Sequence, residues 1–246
     1  MNSSSEIETI SLESVFEVEQ QLDDVIEISD PILLKFKVNE YNRENDNSEF
    51  SPIGFLRKGI VLHEAAMHYL ISGNIREAYD YSKGSQLQLI QLNLSSPGKE
   101  LLPVISAYIA SSYMMMAITT QRFSELRKGL AFFDRSVDQF SNQSLLPEYL
   151  RGKAFLNLPW YFITKKRKSI RDFDSIVMKS HQRSKMHNPR IVSFAYFELA
   201  KLRTEDSAQH LQTIVALLDK AIMWDPANQA AREKAEQMKA GIKTTN

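Results

Sequence analysis

An all-α fold is predicted by three observations. Only 8 Gly and 8 Pro occur in 246 residues, too few for a turn-rich β architecture. Apolar residues beyond position 50 recur at helical spacing in consecutive segments. No alternating β-branched run of strand length survives in that region. An apolar share of 43% with 24% charged residues is that of an ordinary globular chain, long enough for one elongated domain or two small ones.

Residues 1–50 read as an acidic N-terminal segment, with 13 Asp/Glu against 3 Lys/Arg, and 51–246 as the main domain, with 27 Lys/Arg against 17 Asp/Glu. Val15, Val18, Leu22, Val25 and Ile26 form the apolar stripe of a short helix, with Ser14 and Glu17 as a capping pair. Asp30-Pro31 closes that helix, LLKFKV follows as an alternating patch, and VNEYNRENDNSEFSP reads as a solvated linker. No basic, apolar leader opens the chain, and it lacks Cys, so a reducing compartment, the cytoplasm, is expected.

After residue 50, helices are expected at 52–72, 75–93, 100–120, 122–140, 146–158, 165–182, 190–203, 207–224 and 227–241. Their separators are Gly73-Asn74, Ser95-Ser96-Pro97-Gly98, Pro147, Pro159, Asn188-Pro189 and Asp225-Pro226. The charge-free stretch Leu101–Gln121 has bilayer-spanning length. Its Ser, Thr and Tyr content suits a helix buried among other helices instead.

Two stretches carry a repeat. In LLDKAIMWDPANQAAREKAEQMKA, Leu218 and Ala221 occupy packing positions and Pro226 opens the next helix. In LHEAAMHYLISGNIREAYDYSKGS, Ala65, Ala66, Tyr69, Gly73-Asn74, Ile75 and Ala78 give small residues, an aromatic, a tight turn and an alanine. EYLRGKAFLNL, with Gly152 and Phe155, is a weaker third. These residues resemble the tetratricopeptide-repeat (TPR) family. The resemblance covers most of 52–241 and implies a TPR-like α-solenoid of about four antiparallel helix pairs plus a C-terminal capping helix.

Chemistry-bearing motifs are sparse. HEAAMH imitates a zinc-protease motif, but His63 and His68 are five apart and point about 140° away from each other on a helix. His181 and His187 in HQRSKMH read as a solvated helix end, and Asp23-Asp24 and Asp172/Asp174 as solvated charge. No phosphate-binding loop, nucleophile elbow or dinucleotide fingerprint is present. No catalytic residue, metal site or cofactor is assigned, and a non-catalytic protein-interaction module, an adaptor or scaffold, is expected.

The TPR resemblance implies a concave groove for a peptide or helix of another protein, an acidic one included. Its lining would be His63, Met67, Tyr108, Ser111, Met115, Tyr149, Lys153, Asn157 and Tyr196. A rival reading starts from residues 151–190, with 11 Lys/Arg against 2 Asp/Glu. There Trp160, Tyr161 and Phe162 adjoin Lys165, Lys166, Arg167 and Lys168, and Arg171 follows, a composition that suits nucleic acid or an anionic membrane surface. The acidic N-terminal helix is expected to dock on this patch, near Lys165–Arg171, in competition with a partner.

Overall fold

The computed structural model describes residues 10–28, 30–43, 51–158, 163–182, 187–206 and 211–244. Among the described residues there are eleven α-helices and no strand. They are α1 (Leu12–Gln21), α2 (Pro31–Arg43), α3 (Pro52–Ile71), α4 (Ile75–Leu94), α5 (Leu102–Thr120), α6 (Phe123–Phe140), α7 (Leu146–Leu156), α8 (Ile163–Gln182), α9 (Pro189–Asp206), α10 (Leu211–Met223) and α11 (Arg232–Thr244).

Proline writes the helix starts. It stands at the first or second position of α2, α3, α5, α7 and α9, where its missing N–H has no helical acceptor to lose. The turn from α3 to α4 uses Gly73 at φ +80°, a conformation strained for any residue with a Cβ, and Gln121 at φ 55° ends α5. Such short turns force α3/α4 and α5/α6 to run antiparallel.

Two expected boundaries are corrected. The helix expected from 227 begins instead at Arg232, because buried Asp225 organises the intervening turn. Its carboxylate accepts backbone N–H bonds from Gln229 (2.7 Å), Ala230 (2.8 Å) and Arg232 (3.0 Å). In the N-terminal segment, Ser11 caps α1 in place of the Ser14/Glu17 pair, its Oγ accepting from the Ser14 N–H at 3.1 Å. That helix ends at Gln21, short of the expected Asp30-Pro31 stop, which instead opens α2, Asp30 Oδ1 accepting from the Ile32 N–H at 2.8 Å. The LLKFKV patch therefore lies within a helix, burying Leu34 and Val38 and exposing Ile32 and Phe36.

Helices pack as consecutive pairs, α3 with α4, α5 with α6, α7 with α8 and α9 with α10. Each even-numbered helix also touches the next odd-numbered one, and α3, α5, α7, α9 and α11 touch in succession. One device recurs across the pairs. The Ser85 hydroxyl of α4 donates to the Gly59 carbonyl of α3, Ser169 of α8 to Gly152 of α7, and Ser193 of α9 to Ala221 of α10, each at 2.8 Å. In the remaining pair Ser106 of α5 meets Ser136 of α6 at 2.7 Å. A glycine lets each of three pairs close. A Cβ on Gly59 would meet Leu89 at 2.5 Å, on Gly129 Met114 at 2.7 Å, and on Gly152 Phe173 at 2.9 Å. The charge-free helix α5 lies in the middle of this arrangement, buried along most of its length.

The described part of the N-terminal segment belongs to the same core. Val18, Leu22, Val25, Ile26, Leu34 and Val38 pack in one cluster with residues of α3 through α11.

Filling the tight glycine contacts should overpack the pairs. Gly59→Leu, Gly152→Leu and Ala66→Leu are each expected to destabilise by about 1–3 kcal/mol. Gly84→Ala, whose Cβ would meet Leu62 at a comfortable 3.7 Å, should be neutral or stabilising by up to about 1 kcal/mol. Denaturant melts monitored by circular dichroism check both, and an unperturbed Gly152→Leu would refute the close packing of α7 on α8.

Candidate functional site

The most elaborate polar construction in the molecule surrounds residues 11–28. Val15, Val18, Leu22, Val25 and Ile26, the stripe legible in the sequence, are all buried. Helix α1 gives way at Leu22 to a turn that ends at Glu27 with φ 56°. A helix end leaves backbone carbonyls without partners and carries partial negative charge, so cations belong there.

Cations from the odd-numbered helices supply the need. The Arg190 guanidinium of α9 donates to the Asp23 carbonyl and, at 2.8 Å, to the Glu27 carbonyl. Arg57 of α3 donates to the Gln21 carbonyl and, at 2.7 Å, to the Asp24 carboxylate, which Lys37 of α2 also reaches at 2.6 Å. Lys153 of α7 donates to Glu27 Oε1 at 2.5 Å, Asn188 to Asp23 Oδ1 at 2.9 Å, and the Ser144 hydroxyl to Glu19 Oε1 at 2.5 Å. One acidic segment is thereby held from α3, α7, the turn before α7, and the start of α9.

The carboxylates differ in charge state. Burial pushes the Glu19 carboxyl up to about 7, which the Ser144 hydrogen bond only partly offsets. Burial opposes ionisation of Glu27 as well, but the attraction and hydrogen bond of Lys153 prevail and hold it below its ordinary value. Lys153 is correspondingly raised, with Glu27 outweighing its own desolvation. Asp24, despite desolvation, is brought down to about 2 by Arg57 and Lys37. Burial raises the Tyr149 hydroxyl well above its usual value, as does the neighbouring Glu27.

Beneath the segment lies a buried polar layer. His63 Nε2 meets Ser111 Oγ at 2.7 Å, its Nδ1 lies 3.3 Å from Glu64, and its ring stands edge-on to Tyr108 at 4.8 Å. The Tyr108 hydroxyl is buried with no hydrogen-bond partner among the described residues. Ser111, His63 and Glu64 superficially resemble a nucleophile, base and orienter. Ser111 is mid-helix, however, where the backbone N–H groups that would stabilise an oxyanion are already engaged.

The structure corrects the expected groove. His63, Tyr108, Ser111, Met115, Tyr149 and Tyr196 are buried, and Met67 is half-buried, so they do not line an open channel. Residues 11–28 lie against that face: Lys153 and Tyr149 meet Glu27, and the charges of Glu27 and Glu19 act on Tyr108. Asn157 is exposed and donates to the Lys153 carbonyl at 3.1 Å, while Tyr196 OH pairs with His181 at 2.9 Å. His187, expected in solvent, is buried with Nε2 3.2 Å from the Ser180 carbonyl.

The basic stretch is largely stitched inward. Arg151 grips Asp172 through two nitrogens (2.9 and 2.6 Å) and Asp134 through a third (3.0 Å). Lys168 also reaches Asp134, at 2.5 Å, and Lys179 reaches Glu148 at 2.6 Å. Arg167 and Arg171 are exposed on α8. Lys165 and Lys166 fall in α8, but their side chains, like the aromatic residues 160–162, lie outside the described residues. Among the described residues the N-terminal segment does not meet the Lys165–Arg171 stretch as expected; besides Lys37 of α2, its cations are Arg57, Lys153 and Arg190.

Of these three, Arg190 left a signal in the sequence. It occupies the first turn of α9, where the helix dipole disfavours a cation, and its pull on two foreign carbonyls outweighs that cost. Comparison with protein-family models, curated proteins and solved structures finds no match for this chain.

Two outcomes are expected. Lys153→Ala should cost about 1.5–3 kcal/mol by leaving Glu27 unpaired, and the exchange Lys153→Glu with Glu27→Lys should recover part of it in a double-mutant cycle. For Glu19, the folded pKa of about 7 stands above the ordinary 4.5. Its contribution is therefore complete below about pH 4.5 and lost as pH rises through about 7. Wild type should lose stability relative to Glu19→Gln across that window, and parallel melting temperatures would show that Glu19 is not buried as an acid.

Proposed function

We propose that the chain is a TPR-like α-solenoid of about four helix pairs with α11 as its cap, acting as a non-catalytic protein-interaction module. Its binding face is that of the odd-numbered helices, and its ligand is a helix. The observation that carries this reading is the seating of residues 11–28, an amphipathic segment held by apolar contacts and by side chains of α3, α7 and α9. A face built to hold one helix at defined carboxylates and carbonyls has the chemistry to hold another. The successive pairs, the contacts among odd-numbered helices and the recurring serine clasp support the repeat assignment.

The nucleic-acid or anionic-surface reading is weaker. Arg151, Lys153, Lys168, Lys179 and Arg190 direct their charge at this chain's own carboxylates and carbonyls. A cysteine-free chain suits the cytoplasm as the place of action.

Affinity capture with the full chain and mass spectrometry test the proposal. Glu27→Lys, which sets a cation against Lys153 and loosens the resident segment, should recover protein partners that wild type retains weakly. Adding Arg57→Ala should lose them again. Retention of both chains on heparin or RNA at physiological salt, with no protein enriched, would favour the rival.

A further inference from the structure

The resident segment is a template for its competitor. We infer that the odd-helix face recognises the C-terminal end of an acidic amphipathic helix, together with the turn that follows it, presented by another protein, and that residues 11–28 occupy the site as a built-in stand-in. This rests on the interaction-module reading above and specifies the partner's chemistry.

Three features define the ligand. The first is an apolar stripe in the spacing of Val15, Val18, Leu22, Val25 and Ile26, all buried here. The second is a set of carbonyls at the end of the helix and in the turn that follows it. Arg190 bonds the carbonyls of Asp23 and Glu27, and Arg57 that of Gln21, contacts to main chain that any sequence of the same shape can reproduce. The third is one acidic position and one polar acceptor. Lys153 meets the carboxylate of Glu27 at 2.5 Å, and Ser144 meets the carboxyl of Glu19 at 2.5 Å. Basic or neutral helices satisfy the first two features but leave Lys153 facing an uncompensated site, which selects against them.

The interaction is also built to be replaceable. Glu19 is buried with the Ser144 hydroxyl and no cation as its partner among the described residues, and Asp23 and Asp24 remain about half exposed, so the resident's polar contacts are not all strong ones. A partner with Gln in place of Glu19 would keep the Ser144 contact without desolvating a carboxylate. Tethering compensates the resident, because a linked segment acts at an effective concentration of about millimolar.

The test uses full-length protein and a fluorescein-labelled peptide of residues 10–28 in trans, read by anisotropy, with circular dichroism melts to verify folding. The resident segment is loosened in two independent ways, by Glu27→Lys and by Val25→Asp. Each loosened chain should bind the peptide at least tenfold more tightly than wild type does. Adding Arg190→Ala to a loosened chain should weaken binding about tenfold. A peptide carrying Glu27→Gln should bind the loosened chains about tenfold more weakly, and one carrying Glu19→Gln should bind as tightly as the native peptide or better. Tight binding that ignores both Arg190→Ala and the Glu27→Gln change would overturn the acidic helix-end specificity while leaving the groove reading in place. Absence of peptide binding by folded, loosened chains would overturn the groove reading itself. Loss of folding in both loosened chains would overturn exchangeability, since a segment that cannot leave cannot be replaced.

Discussion

The placement of residues 11–28 follows from the need to terminate α1 in a buried setting. An amphipathic helix can cover an apolar surface with its stripe, but its last carbonyls must find donors once water is gone. Arg57 serves that of Gln21, and Arg190 serves those of Asp23 and Glu27 in the turn that follows. Since these residues come from α9 and α3, the far ends of the helix series must converge on one short segment. The Lys153 and Ser144 contacts fall between them, and they fix which carboxylate goes where.

That convergence requires odd-numbered helices that stack closely, and the pair geometry provides it. Gly59, Gly129 and Gly152 let the two helices of a pair approach until Leu89, Met114 and Phe173 fill the space a Cβ would take. Serine hydroxyls then bond carbonyls across three of the pairs, which removes a polar group from the contact without widening it. A carbonyl already within an α-helix has a spare lone pair, so the bond does not compete with the helix ladder. The same device recurs on α3/α4, α7/α8 and α9/α10 despite their dissimilar sequences. The TPR-like pattern in the first pair rested on Ala65, Ala66, Tyr69, Gly73-Asn74, Ile75 and Ala78; Gly59, whose added Cβ would meet Leu89 at 2.5 Å, was not among them because that contact comes from the other helix.

Legibility in the sequence followed how local the cause was. Starts of α3, α5, α7 and α9 were readable because a proline within the first turn determines them. The start of α11 was not: Asp225 binds three N–H groups beyond Pro226, and that preference shows only when the turn is closed. The apolar stripe of α1 was readable from periodicity, and its need for a surface followed. The surface itself was misplaced. Sequence density drew attention to the Lys165–Lys168 run, whereas the cations that matter, Arg57, Lys153 and Arg190, stand singly and are gathered by topology. Likewise Tyr149 and Lys153 do fall under the segment, but sequence cannot say that the chain's own N-terminal residues cover them.

A buried polar interface is seldom the most stable choice, since apolar residues of similar volume often hold elements together at least as well. The apolar stripe of residues 11–28 alone could sit against this surface in more than one register, because aliphatic contacts are non-directional. Carboxylate, guanidinium and ammonium groups remove that freedom: shifting the segment by one helical turn would separate Glu27 from Lys153 and both carbonyls from Arg190. Glu19 goes further, because its ionised form is disfavoured where it sits. The seat therefore trades strength for definition. The apolar stripe supplies the attraction, and the charged groups fix the register in which the segment sits.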